Sequence, residues 1–149
     1  MTPVSALAHF AFRIRLASAP SASVQSMVIG FVTNAKTTGV VGITLNAGSG
    51  PTQVYEQTFS PTGASTGYKG TSLSRSLTPG VFHDVDMKVT FDTSPAKITV
   101  MIDGVLGVQK DSELGLTPSS AAQMQAGAVY SMPTPELTFD IDDVIIETK

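Results

Sequence analysis

The chain has 149 residues, no cysteine, a net charge of −3 and a pI near 5.2. Without cysteine there are no disulfides, thiolate metal sites or cysteine nucleophiles, and the acidic balance leaves no basic footprint for nucleic acid or an anionic membrane. Charged residues make up only 14%, against roughly 25% in an ordinary globular protein, and Ser and Thr take the polar positions, a composition commoner in extracellular β-proteins than in cytosolic enzymes.

From Phe10 to Leu16 the even positions Phe10, Phe12, Ile14 and Leu16 are apolar while Arg13 and Arg15 alternate with them, which predicts a strand with one buried face. Ser26 to Thr33 is apolar on both faces and reads as a deeply buried strand. Gly39 to Asn46 places Val41, Ile43 and Leu45 on one side, and the Gly- and Pro-containing stretch 47–51 turns the chain. Gln53 to Phe59 is the next strand. The Ser/Thr/Gly-rich stretch from Ser60 to Ser72 is expected to be a long loop, with a short strand at Leu73 to Leu77. From Val81 to Phe91 the odd positions Val85, Met87, Val89 and Phe91 face the core, and Asp84, Asp86 and Lys88 face water. Asp92-Thr93-Ser94-Pro95 turns the chain, and Lys97 to Ile102 alternates with Ile98, Val100 and Ile102 inward. Asp103-Gly104 signals a tight hairpin, because a type I′ turn needs positive φ and Gly supplies it without strain. Val105 to Val108 is the return strand, and Ala126 to Tyr130 and Leu137 to Glu147 complete the set. A single helical turn is expected within Ser119 to Gln125. Many short alternating strands joined by Gly/Pro turns predict an all-β, two-sheet antiparallel β-sandwich over a single domain, 1–149. Its core should contain the inward residues named above together with Ile29, Phe31, Ile141, Val144 and Ile146.

Three segments in order carry a resemblance. Pro79-Gly80-Val81-Phe82-His83-Asp84-Val85 resembles the Gly-x-Trp-His-x-Val strand opening of laminin-G-like domains, with Phe82 in place of the Trp. Lys97 to Gly104 resembles the following strand with its Asp-Gly hairpin, and Phe139 to Ile146 resembles the terminal Ile-Asp-Asp-Val strand. The chain thus resembles the concanavalin A-like lectin and glucanase superfamily in its laminin-G-like form, from about Phe10 to the end. That resemblance implies a jelly roll of two packed sheets, one concave, whose members bind sugars, proteins or calcium and include glucanases. A short strand that precedes Phe10 in the family is not recognisable, which leaves the partner of the last strand undefined.

Residue patterns speak against hydrolysis. Glycosidases flank the scissile bond with two carboxyls about 5–9.5 Å apart. None of Glu56, Glu113, Glu136 or Glu147 has the Asp two residues on that glucanase relatives carry. Asp84 and Asp86 share a face at about 6.5–7 Å between Cα atoms, but beside Lys88 they read as a solvated face. Gly63-Ala64-Ser65-Thr66-Gly67 matches a nucleophile pattern literally, yet lacks the strand before and helix after that would expose the hydroxyl. Ser94-Pro95-Ala96-Lys97 sits in a turn where the corresponding chemistry needs a helix start. Between them, His9 and His83 have no metal-ligand spacing, and His83 reads as a core-edge histidine bonded to backbone. No catalytic residue is assigned, and the chain is expected not to be an enzyme.

Two weaker sets remain. Asp140, Asp142 and Asp143 are the acidic cluster that could supply a structural calcium ion, the sole cofactor suggested, if a bulge at Asp143 and Val144 re-aims a carboxylate. The alternative reading is that these acids cap turn amides or discourage edge pairing. For a sugar, aromatic platforms and planar polar side chains are needed; Tyr55, Tyr68 and Tyr130 are available with Gln53, Gln57 and Asn46 as polar partners, and Tyr68, Tyr55 and Gln57 are the candidates. The leading expectation is a non-catalytic binding or adhesion module with carbohydrate as ligand and a glycan or cell-surface protein as partner. A structural or protein-interaction β-domain is the alternative, and a glycan-active hydrolase or lyase the third. No apolar run approaches the roughly 20 residues that span a bilayer, and no signal peptide is visible at Met1 to Ser5. The composition favours a domain excised from a larger secreted protein, extracellular or at the cell surface with its export signal upstream, over a cytosolic protein.

Overall fold

The computed structural model describes residues 7–18, 24–34, 37–45, 52–116, 122–131 and 138–148, with 24–34, 37–38, 45, 122–131 and 148 described by backbone alone. Among the described residues ten strands form: β1 (Leu7–Leu16), β2 (Val24–Asn34), β3 (Thr37–Leu45), β4 (Gln53–Phe59), β5 (Ser65–Ser72), β6 (Phe82–Thr90), β7 (Lys97–Ile102), β8 (Val105–Asp111), β9 (Ala122–Ser131) and β10 (Phe139–Thr148). They pair antiparallel in two five-stranded sheets, sheet A in the order β10-β1-β6-β7-β8 and sheet B in the order β5-β4-β3-β2-β9. This is the all-β sandwich that the alternation predicts. The last strand, whose partner the sequence left undefined, pairs with β1.

Period-two alternation sets the core. On sheet A, Phe10, Phe12 and Ile14 of β1, Val85, Met87 and Val89 of β6, and Ile98, Val100 and Ile102 of β7 are all essentially buried. They meet Val41, Ile43 and Val54 of sheet B. Because side chains of one strand alternate between faces, the same register turns Arg13, Asp84, Asp86 and Lys88 outward. Phe91 and Ile141 pack on the core half-buried. The side chains of Ile29, Phe31 and Leu45 lie outside the described residues.

Several expectations need correction. Val144 and Ile146 are not core residues: they and Ile145 are 48%, 57% and 51% exposed, respectively. The anticipated bulge is present, since Ala11 pairs with Ile145 but Arg13 with Asp142, and Asp143 has φ 51°. β10 is the outermost strand of its sheet, so an inward position past the bulge is not thereby covered. The stretch 60–72 is not all loop, because β5 occupies its second half. β5 has no apolar period because it is an edge strand of Ser, Thr, Gly, Tyr and Lys, mostly exposed. Leu73 to Leu77 is a connection and not a strand, although both leucines are buried. It is pinned by the Leu73 N–H donating to the Thr52 carbonyl at 2.8 Å and the Ser74 N–H to the Gly107 carbonyl at 3.0 Å. Residues 122–125, expected within a helical turn, lie in β9, and 119–121 fall outside the described residues.

The β7–β8 hairpin forms as predicted, with φ of 53° at Asp103 and 71° at Gly104, both positive as a type I′ turn requires. Its Asp103 also anchors β6. His83 donates from Nδ1 to Asp103 Oδ2 at 2.8 Å, and its Nε2 accepts the Thr78 N–H at 2.9 Å. Asp103 Oδ1 accepts the Asp84 N–H at 3.0 Å. Both ring nitrogens of His83 are therefore engaged in structure.

The far end of the same hairpin is joined to sheet B by a buried acid. Glu56 on β4, 1% exposed, projects between the sheets. Its carboxylate accepts from Ser112 Oγ at 2.7 Å and the Glu113 N–H at 3.1 Å, and it pairs with Lys110 Nζ at 3.0 Å. Lys110 also reaches Glu113 at 2.6 Å and Thr71 at 3.1 Å. Burying a carboxylate is costly unless it is paired and hydrogen-bonded, and here β4, β5 and β8 with its following turn supply those partners together.

Candidate functional site

The alternation that sends Val54 and Glu56 inward sends Gln53, Tyr55, Gln57 and Phe59 to the outer face of sheet B. Register places Gly42 and Gly70 on either side of Tyr55, Val40 and Tyr68 on either side of Gln57, and Thr44 and Ser72 on either side of Gln53. Tyr68, expected in a loop, thus stands on β5, one strand from Tyr55. Their rings stack with centroids 5.7 Å apart and planes 18° from parallel. Tyr55 is 1% exposed and Tyr68 46%, so one ring is a buried floor and the other presents a face to water. Burial, and secondarily the neighbouring Tyr68 hydroxyl, pushes the Tyr55 phenol well above the ordinary tyrosine range, so it stays a neutral hydroxyl.

A Cβ at Gly70 would stand 3.0 Å from Gln53 Oε1, so that flexible amide would have to give by a few tenths of an ångström, and 3.5 Å from the Tyr68 ring, an ordinary contact. Beside the rings, Gln57 Nε2 donates to Ser65 Oγ at 3.1 Å, which fixes the amide plane. Thr44 Oγ1, buried on the same face, has no hydrogen-bond partner. The structure therefore brings Tyr55, Tyr68, Gln57 and Gln53 onto one face, and adds Thr44, which the sequence did not single out, and Ser65, which it offered only within a nucleophile pattern. Thr44 and Ser65 needed the register.

The outer face of sheet A has the opposite character. Arg13 approaches Asp84 at 3.3 Å and Asp143 at 3.4 Å; Arg15 pairs with Asp140 at 2.6 Å; His9 lies between Asp86 at 3.2 Å and Glu147 at 3.1 Å. Arg13 and Arg15 both sit over the Phe82 ring, at 5.0 and 4.8 Å. A groove of about 350 Å³ runs between Arg13, Asp84, Met101 and Ile145. Its charges face one another across neighbouring strands, so they neutralise in place. The acids of the cluster are engaged within the fold. Asp140 and Asp143 are engaged by arginines, Asp142 Oδ1 accepts the Asp143 N–H at 2.9 Å, and among the described residues no group of three or more His, Asp and Glu is placed to hold a metal ion. Ser65 opens β5 in sheet B, while both histidines belong to sheet A.

No family model and no curated protein matches the sequence. Solved structures do match in fold. An endo-β-1,4-glucuronan lyase from the fungus Trichoderma reesei superposes with a TM-score of 0.63 at 12% identity, over 96% of this chain and 68% of that one. An alginate lyase from Pseudomonas aeruginosa gives 0.63 at 10% identity, over 97% and 66%. Sheep galectin-11 gives 0.51 at 13% identity, over the whole of both chains. The lyases overturn the expectation that this chain is not an enzyme, since the sandwich it shares with them houses catalysts as well as binding proteins. The residue arguments against catalysis addressed hydrolysis and its paired carboxylates; a lyase breaks its bond without water and is not bound by that spacing. Strand order, two-sheet packing and these superpositions agree on the architecture: the chain has the concanavalin A-like jelly-roll fold.

Proposed function

We propose that this chain is a glycan-recognition domain, holding a sugar on the outer face of sheet B. The observation that carries the reading is the Tyr55–Tyr68 stack with Gln53, Gln57 and Ser65 beside it. An exposed tyrosine ring offers an apolar face to the C–H side of a pyranose and a hydroxyl at its rim. Glutamine amides donate and accept at once, which matches the vicinal hydroxyls of a sugar. The kinship in fold with galectin and polysaccharide lyases supports a glycan as the ligand class. The charge-poor composition supports placement outside the cell or on its surface as part of the same proposal. A glycan array tests it: at least one glycan should be retained, and Tyr68→Ala and Gln57→Ala should each weaken retention by about tenfold, equivalent to about 1.4 kcal/mol, without shifting the thermal midpoint. Retention of no glycan, or variants indistinguishable from wild type, would contradict the proposal.

A second reading, a β-domain that contacts protein, is favoured by the exposed Val144-Ile145-Ile146 strip on the outermost strand β10. It requires concentration-dependent self-association or partner binding in sedimentation that Ile145→Lys abolishes; a species unaffected by that change removes it.

A further inference from the structure

The two sheets divide the charge of the molecule between them. Across all five strands of sheet B the only Asp, Glu, Lys, Arg or His residues are Glu56 and Lys69. Glu56 is buried between the sheets against Lys110, and Lys69, on the edge strand, pairs with Glu113 at 3.8 Å. Both sit at positions whose register partners, Val41 and Glu56, face the interior. Among the described residues, the outer side of β3, β4 and β5 therefore carries Gln53, Gln57, Tyr68 and Ser72 beside the buried Val40 and Thr44, and no formal charge. The strands of sheet A carry Arg13, Arg15, Asp84, Asp86, Lys88 and Asp140, mostly paired with one another.

From this segregation we infer that the glycan recognised on sheet B is an uncharged one, a neutral saccharide rather than a uronate or sulfated polymer. The inference rests on the glycan-recognition reading and narrows it. A polyanion set against Tyr, Gln, Ser and Thr loses hydration from each carboxylate and finds no cation in return. Sites for anionic sugars are expected to place Arg or Lys where they meet the acid bidentately or as a point charge, and among the described residues of this face there is none. Hydroxyls on a neutral ring need no such partner. The amides of Gln53 and Gln57, the exposed Tyr68 phenol and the Ser65 hydroxyl give donors and acceptors in the mixture that a neutral ring presents. The net charge of −3 adds a further penalty to approach by a polyanion.

Affinity electrophoresis or calorimetry with matched polymers tests this. Neutral glucans, mannans, xylans and galactans would be run against alginate, polygalacturonate and glucuronan at low and raised salt, using wild type, Tyr68→Ala and Gln57→Ala. We expect binding to at least one neutral polymer, unchanged by salt because no ion pair is screened, and reduced about tenfold in both variants. Binding to polyuronates in preference to every neutral polymer, falling steeply with salt, would overturn the inference while leaving glycan recognition standing. Neutral binding that survives both substitutions would also overturn it, by moving the ligand off this face. Retention of neither class would overturn glycan recognition itself, and the inference with it.

Discussion

At the scale of single residues, two polar networks the sequence did not announce hold the β7–β8 hairpin at its two ends. Glu56 drew attention only for lacking an acidic partner two residues on, yet it is the most buried charge in the described structure. The signal available was an acid at an inward position of an alternating strand, one step from Val54, but its partners Lys110 and Ser112 lie more than 50 residues away and become visible only in three dimensions. Burial alone would lower the Lys110 ammonium, but its hydrogen bonds to Glu113 and Glu56 outweigh that and hold it above the ordinary 10.5. Stability from this raised group is complete below the ordinary lysine value and is lost as pH climbs through the raised one. Lys110→Met should therefore cost about 3–5 kcal/mol in urea denaturation at neutral pH, because it leaves Glu56 buried and uncompensated. The gap from wild type should narrow only above pH 10.5. At the turn end of the hairpin, the His83 hydrogen bond holds the Asp103 carboxyl below the ordinary 3.8 against the opposing effect of burial, with the Asp84 N–H helping. A depressed acid contributes stability above its ordinary value and loses it as pH falls through the folded one. The stability difference between wild type and Asp103→Asn should therefore persist at neutral pH and close below pH 3.8.

At the scale of elements, legibility followed how far each strand's environment was set by its own neighbours. β1, β6 and β7 are central or flanked on both sides, and their alternation identified core and surface correctly from Phe10 to Ile102. The Asp103-Gly104 turn was readable because its chemistry is local. A Cβ at Gly104 would meet nothing within 4 Å, so Gly104→Val tests backbone conformation alone and should cost about 1 kcal/mol. Edge strands were not readable in the same way. β5 has no apolar period, and β10 has one whose inward side beyond the bulge is exposed. Ile146→Ser should accordingly change stability by no more than about 0.5 kcal/mol, while Ile98→Ala, fully buried on β7, should cost about 2–5 kcal/mol. Equal losses at the two positions would show that β10 is covered in solution.

At the scale of the whole molecule, ten strands in two sheets separate a charged, self-paired surface from an uncharged one that bears the aromatic stack. The jelly roll was legible because strand count, turn chemistry and three ordered segments all pointed the same way. The face was legible only in part. Residue type indicated Tyr55, Tyr68 and Gln57, but the register of β3, β4 and β5 was needed to place them together. Fold alone does not assign chemistry, since the same sandwich serves galectins and lyases. The most direct measurement is an NMR titration of isotope-labelled protein with a glycan that the array retains. Shifts should concentrate on Thr44, Gln53, Gln57, Ser65 and Tyr68 of sheet B and leave Arg13, Asp84 and Met101 of the sheet A groove unmoved. Perturbations confined to the groove, with the tyrosine face silent, would contradict the assignment of the site.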